Sequence, residues 1–121
     1  MSGMTLSFLI RQLLASTAGT STDHYSPVFD VTDFASLTVL LQVLSSNPAA
    51  ATFTATVQHT NDPTLGDSSW ITAATITVNT AGGTGQSSTT ISNPFRFVRV
   101  KLNVASSTYG TVLCEGVART A

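Results

Sequence analysis

The feature that most constrains the fold is a strict alternation of apolar and polar residues that follows Pro94. Four apolar residues alternate with three polar ones, namely Val98, Val100, Leu102 and Val104 with Arg99, Lys101 and Asn103. This period of two is typical of a β-strand with one buried face and one wetted face. Proline is tolerated just before a strand or at its first residue, so Pro94 fits the start of this one.

The composition extends this interpretation to the whole chain. The 121 residues suit one domain. Only 9% of them are charged, against about 25% in an average soluble domain. The sequence contains 21 Thr and 15 Ser, so its polar surface is mostly hydroxyl. Because Thr favours strands and Ser, Gly and Asn favour turns, the composition indicates an all-β protein.

Alternating segments and turn residues together predict about eight short strands. The central one, Leu37 to Leu44, is apolar on both faces, and the next, Thr52 to Thr60, alternates clearly. We expect these two strands to form an antiparallel hairpin. We expect the last two strands to pair as well, with Lys101 opposite Glu115 on the outer face. The predicted fold is a single antiparallel β-sandwich of jelly-roll character.

The first 26 residues are predicted to form a separate arm, and residues 27–121 the sandwich domain. Leu6, Phe8 and Ile10 alternate with Thr5, Ser7, Leu9 and Arg11, and Ser16 to Ser26 is a linker of mostly small residues. Such a strand and linker suit an arm that reaches a neighbouring subunit. Leu6, Phe8 and Ile10 are therefore predicted interface residues.

The residues that carry chemistry are few and isolated. We predict no catalytic, cofactor-binding or metal-binding residues, because His24 and His59 have no partner at ligand spacing and Gly-x-Ser-x-Gly does not occur. His59 shares a loop with Asp62 and Asp67, but no cation-binding pattern is present. Cys114 falls on the inward phase of its strand, which predicts a buried thiol. The chain is predicted not to be an enzyme.

Two surface features suggest binding instead of catalysis. Arg96, Arg99 and Lys101 form a basic stripe, of which Arg99 and Lys101 are predicted to lie at an interface. Trp70, Phe95 and Phe97 offer an alternative, a platform for stacking sugars. The net charge of −1 favours no nucleic acid partner. The apolar stretch from Met4 to Leu14 is too short to span a bilayer, so no membrane association is predicted.

Three segments resemble small structural proteins of tailed phages. Phe29 to Val39 resembles their "DVSxFxSLTV" run, Thr56 to Asp62 with Ser69 and Trp70 resembles "VxLQxSxDGxxW", and Pro94 to Val100 resembles "PxRYVRV" with Phe97 in place of tyrosine. The similarity spans residues 28 to 119 and departs at Pro63 to Asp67, where a compact Asp-Gly turn is replaced. Discoidin-type sandwiches, which bind carbohydrates and lipids, carry a similar arginine-containing strand.

The resemblance implies a virion β-sandwich without enzymatic activity. The expected function is that of a capsid decoration, or cement, protein that stabilises a phage head. The expected partners are the major capsid protein or other virion subunits, with further copies of the chain in a homo-oligomer, and the expected location is the virion, assembled in the host cytoplasm. The alternative is a carbohydrate-binding adhesion module of a phage fibre or tail.

Overall fold

Nine β-strands account for most of the computed structural model, which describes residues 3–17 and 19–120. The strands are β1 (Gly3–Ala15), β2 (Thr22–Tyr25), β3 (Phe29–Asp30), β4 (Ser36–Asn47), β5 (Thr52–Thr60), β6 (Ile71–Asn79), β7 (Gly85–Ser92), β8 (Phe97–Val104) and β9 (Tyr109–Arg119). Two 3₁₀ turns, Pro63–Leu65 and Asp67–Ser69, lie between β5 and β6.

The strands form two antiparallel sheets that pack face to face. One sheet has four strands in the order β1-β9-β4-β7, and the other has five, in the order β2-β8-β5-β6 with β3 also paired to β8. Six of the eight connections cross from one sheet to the other, and only β2 to β3 and β5 to β6 stay within a sheet. This connectivity is that of a jelly roll. The predicted all-β sandwich is confirmed.

The alternation identified in the sequence places the core between the sheets. On β8, Val98, Val100, Leu102 and Val104 are fully buried, and on β4 the same holds for Leu37, Val39 and Leu41. Leu40 and Leu44, on the opposite phase of β4, remain partly exposed because no second layer covers that face. The central strand is therefore covered on one side and not on both.

The structure does not separate β1 from the domain as an arm. β1 pairs with β9 from Gly3 opposite Arg119 to Ala15 opposite Tyr109, and Leu6, Phe8 and Leu9 are buried in the common core. Within the predicted linker, Thr22–Tyr25 forms β2 and pairs with β8. Of the residues in the predicted arm, 1, 2 and 18 lie outside the described part of the chain.

The two predicted hairpins are wrong, because the paired segments lie in different sheets. β4 and β9 are neighbours in the four-stranded sheet, whereas β5 and β8 are neighbours in the five-stranded sheet. Lys101 on β8 and Glu115 on β9 therefore lie on opposite outer faces and do not pair. The inner faces of both sheets meet in one core, so a strand shows the same alternation of inward and outward residues in either sheet. Alternation alone therefore does not tell which sheet a strand joins.

Candidate interaction surfaces

Arg99 is the centre of a side-chain cluster on the outer face of the five-stranded sheet. Its guanidinium carbon lies 4.7 Å from the ring centre of Tyr25 and 4.4 Å from that of Trp70. These distances are within the range of cation–π interactions, which are strongest when the cation is shielded from water. The Arg99 side chain is only 12% exposed.

The polar atoms of Arg99 are held by two further residues. Its Nε donates a hydrogen bond to Oε1 of Gln58 at 2.8 Å, across the β5–β8 pair. Both terminal nitrogens donate to Oδ1 of Asp67 at 3.3 Å, and this carboxylate is 85% exposed. Arg99 thus joins the β8 strand, the loop before β6 and the end of β2. Because the guanidinium group of Arg99 is already hydrogen-bonded within the chain, its role is to hold this surface together and not to bind a charged partner.

Lys101 lies one step along the same face with different surroundings. It is opposite Tyr25 on β2 and Thr56 on β5, and no salt bridge is formed by it among the residues the structure describes. The next row contains Asn103, whose side-chain nitrogen donates to Oδ1 of Asp23 at 2.9 Å. Beside the Arg99 cluster, this face therefore presents an exposed tyrosine ring, an ammonium group and several hydroxyl and amide groups.

The outer face of the four-stranded sheet has a different composition. Its rows follow from the pairing of β9 with β1 and β4 and of β4 with β7. Aliphatic and hydroxyl side chains dominate it: Thr5, Ser7, Leu13, Leu113, Val117, Thr38, Leu40, Ser88 and Thr90. Glu115 lies near its middle, between Ser7 and Leu40. We call this surface the hydroxyl face.

A third feature lies at the end of the sandwich where β5 finishes. The rings of His59 and Phe95 are stacked at 3.9 Å and nearly parallel, at 5°. The Phe95 backbone N–H donates to Nδ1 of His59 at 3.1 Å, so Nδ1 carries no proton in this state. Burial lowers the pKa of His59 below its usual 6.5. His59 thus fastens the loop that precedes β8.

The predicted interface residues fall into different environments. Leu6 and Phe8 are buried in the core of their own domain, where Phe8 also meets Phe29 edge to face. Ile10 is 64% exposed, on the irregular part of β1. Arg99 is largely covered and Lys101 is partly exposed. The structure therefore brings Arg99 and Lys101 together on one face and leaves Ile10 on the opposite sheet.

The three aromatic residues of the predicted sugar platform are not brought together. Trp70 is buried beneath Arg99, Phe95 stacks on His59, and Phe97 lies beneath Arg96, whose guanidinium carbon is 4.9 Å from the ring centre. The exposed ring of this face belongs to Tyr25 instead. Tyr25 and Gln58 were not among the predicted site residues, and Tyr25 lay in a segment interpreted as a linker. Thr22 to Tyr25 reads Thr-Asp-His-Tyr and has no apolar alternation, so the sequence carried no signal for this short strand.

Few features offer a site for a small ligand or an ion. In residues 3–17 and 19–120, no three His, Cys, Asp or Glu side chains cluster closely enough to hold a metal ion. The Nε2–H group of His24 donates to the Ala15 carbonyl oxygen at 3.1 Å. A shallow pocket of about 230 Å³ opens beside the start of β7 and is lined by Gln42–Leu44 and Thr84–Gln86. Ligand pockets typically measure about 300–1,000 Å³. The described chain also contains no helix with the length and apolar character to cross a membrane.

Comparison with known proteins shows similarity in structure and not in sequence. No family model matches the chain, and no curated protein matches it. A chain of the VP2 subviral particle of infectious bursal disease virus superposes with a TM-score of 0.60 at 10% identity, over 98% of this chain and 33% of that one. The chain therefore corresponds to about a third of the viral protein's length.

Two bacterial or prophage structures have similar folds. A subunit of the disulfide-linked pili that form Bacillus endospore appendages gives a TM-score of 0.57 at 13% identity, covering 98% of this chain and 87% of that one. The SPBc2 prophage-derived protein YomS gives 0.50 at 16% identity, covering 97% and 92%. At such low identity the similarity is one of fold: this chain is a β-sandwich of a kind also found in a viral particle, a pilus and a prophage protein.

Proposed function

We propose that the chain is a non-enzymatic structural subunit of a tailed-phage virion, a decoration protein that binds the major capsid protein on the outside of the head. The observation that carries this proposal is the hydroxyl face, a broad sheet surface on which Glu115 lies near the middle and Arg119 at one end, with uncharged side chains between them. The sequence resemblance to phage structural proteins and the shared fold of a viral particle protein support it.

The composition of the hydroxyl face suits binding to a large protein surface. Specific interfaces bury on the order of 1,600 Å² in total, and their buried centres are depleted of charged residues because ions are costly to desolvate. A face of leucine, valine, serine and threonine avoids most of that cost. Glu115 would then require a basic or hydrogen-bonding group on the capsid protein.

The proposed mechanism is mechanical. A rigid sandwich bound across two neighbouring capsid subunits adds its interface energy to the work of separating them. Because it binds the assembled shell and not separated subunits, it stabilises the shell by mass action. This mechanism needs no reaction, cofactor or nucleic acid contact. The protein would be added to the virion in the host cytoplasm.

The test compares decorated particles with particles stripped of the protein. Stripped heads are expected to open at a lower temperature, and adding the protein back is expected to restore their resistance. Leu40→Lys on the hydroxyl face is expected to abolish both binding and restoration. Thr56→Lys, at a central position of the opposite sheet face, is the matched control and is expected to bind normally. Equal resistance of stripped and decorated heads would contradict the proposal.

A second function, carbohydrate binding by a fibre or tail adhesion module, is favoured by the Tyr25 side of the molecule. Tyr25 is 50% exposed and lies beside Lys101, with Asn103 and Asp23 in the next row. An aromatic ring with nearby hydrogen-bonding groups is suited to stacking against a sugar. A glycan array with the wild type and Tyr25→Ala separates the two functions. Binding that is lost in Tyr25→Ala, with stripped heads as robust as decorated ones, would favour the adhesion module.

A further inference from the structure

One side of the sandwich ends in two strands with little of the usual protection against pairing with another chain, since a register shift occurs only in β6, opposite Val57 and Gln58. β7 is the last strand of the four-stranded sheet and β6 the last of the five-stranded sheet. Neither contains a charged residue or a proline. An edge strand presents unpaired backbone N–H and C=O groups, and natural proteins usually protect such edges with charges, prolines or bulges. We call this side, formed by β6 and β7, the open side.

The opposite side of the molecule is protected in several ways. The pairing of β1 with β9 has two register shifts, between Ser7 and Leu9 and between Leu9 and Gln12. Arg11, within the second irregularity, has a positive φ of 43°. Such bulges twist an edge away from a regular partner. The short strands β2 and β3 place Asp23 and Asp30 on that side of the other sheet.

β7 is regular along its whole length. Its eight residues pair with β4 without any register shift, from Ser92 opposite Ser36 to Gly85 opposite Val43. Outward-facing Thr90 contacts Thr38 through their hydroxyl oxygens at 3.0 Å, which fixes the strand against its neighbour. A second strand placed beside β7 would therefore meet a straight, hydrogen-bonding template.

Side chains on the open side also permit close approach. The inward positions of β7 include Ser87 and Thr89, and β6 contributes Ala73 and Ala74, all of them half-buried small residues. Where the chain passes from β6 to β7, Gly85 lies so near β6 that an added Cβ would come within 2.8 Å of the Val78 side chain. No large side chain of β6 or β7 stands between the edge and a partner strand at Ser87 to Thr89.

We propose that the open side is a self-association surface, where β7 of one copy pairs antiparallel with β7 of a second copy. A two-fold axis perpendicular to the sheets would extend the four-stranded sheet to eight strands and bring the two β6 edges together in the other layer. A second copy is the favoured occupant because β7 is complementary to itself in this arrangement. Hydroxyl groups meet hydroxyl groups, and no like charges oppose each other.

This proposal adds a mode of self-assembly to the proposed structural function and concerns the free protein. It is tested by sedimentation of the purified chain over a wide range of concentrations. The wild type is expected to form a dimer. Ser88→Lys is expected to weaken that dimer at least tenfold, because Ser88 is near the middle of β7 and the two lysines would lie close together at the joined edges. Ser7→Lys is the matched control, since it places the same exposed outward substitution on the protected edge, β1.

Amide hydrogen exchange supplies a second measurement. Backbone amides of β7 are expected to exchange more slowly as the protein concentration rises, while those of β1 stay unchanged. A monomer at all concentrations, or equal weakening by Ser88→Lys and Ser7→Lys, would overturn the proposal. Since Ser88 and Ser7 both lie on the hydroxyl face, equal weakening would assign the contact to that face instead. Neither result affects the comparison of stripped and decorated heads, which tests the proposed decoration function separately.

Discussion

The guanidinium group of Arg99 covers the ring of Trp70 at 4.4 Å, which ties β8 to the loop before β6. Trp70 is the single tryptophan of the chain, so its fluorescence reports on this contact. Arg99→Ala removes two aromatic contacts and the hydrogen bonds to Gln58 and Asp67. We expect a loss of about 1–3 kcal/mol in the free energy of unfolding, with a changed Trp70 emission, measured by chemical denaturation.

Arg96 provides the control for that experiment. It also lies over an aromatic ring, that of Phe97, and pairs with Asp30 at 3.6 Å, but its side chain is 57% exposed. Exposed ion pairs are worth at most about 1 kcal/mol. Arg96→Ala is therefore expected to change stability by less than about 0.5 kcal/mol. Equal effects of the two substitutions would show that coverage of Arg99 by Tyr25 and Trp70 contributes little.

Val100 and Lys101 are adjacent in sequence and opposite in environment. Val100 is fully buried between the sheets, whereas Lys101 lies on the outer face. Val100→Asp buries a charge without a partner and is expected to prevent folding. Lys101→Asp, the same new side chain one residue further on, is expected to cost no more than about 1 kcal/mol. Circular dichroism and thermal unfolding distinguish the two outcomes, and a folded Val100→Asp protein would contradict the inward assignment.

The sequence predicted which side chains of a strand face inward, but not which strands are neighbours. On β8, the alternation located all four buried residues, since an apolar side chain at every second position has only one favourable side. Pairing depends on where each connection leads. The segment from 105 to 108 joins β8 to β9 in the other sheet, although its length also suits a hairpin. Nothing local in these residues distinguishes the two routes.

The Arg99 cluster was predictable only in part. Alternation placed Arg99 on an outer face, which suggested a solvated side chain. Its coverage depends on Tyr25 and Trp70, which are far apart in sequence and meet only because β2 and the loop before β6 both end beside β8. In the same way, β1 looked separable because its apolar residues are followed by a polar segment. The burial of β1 depends on its pairing with β9, which is distant in sequence.

His59 is expected to make stability depend on pH. Burial lowers the pKa of His59 in the folded chain, so the unfolded chain binds a proton first as the pH falls. The stabilisation is fully present above the unfolded value of about 6.5 and is lost as the pH falls from there through the folded pKa. Protonation of Nδ1 would also remove the acceptor for the Phe95 N–H.

Thermal unfolding between pH 8 and pH 5 measures this effect. His59→Gln keeps a polar side chain without a titrating group and is the control. The wild type is expected to lose more thermal stability toward pH 5 than the variant does. Parallel curves for the two proteins would show that His59 does not contribute to the pH dependence.

Cys114 is expected to be unreactive in the native protein. Its burial was predicted and is confirmed, with the side chain fully enclosed on β9. Burial, with a smaller contribution from the charge of Glu115, raises the pKa of the thiol to about 12. Since the thiolate is the reactive form, a thiol reagent is expected to label Cys114 only at the rate of unfolding. A Thr90→Cys variant, exposed on the hydroxyl face, serves as the rapidly labelled reference.

The pairing of β1 with β9 also has a consequence for synthesis on the ribosome. Of the nine strands of the sandwich, β1 is made before the others and finds its hydrogen-bonding partner only when β9, which is made after them, has emerged. Until then Leu6, Phe8 and Leu9 have no completed core to enter, and the nascent chain carries them exposed. Chains dominated by such distant contacts fold slowly and are open to aggregation in the meantime. The sandwich is therefore expected to close only once β9 has left the ribosome, in a step that chaperones binding to the nascent β1 would protect.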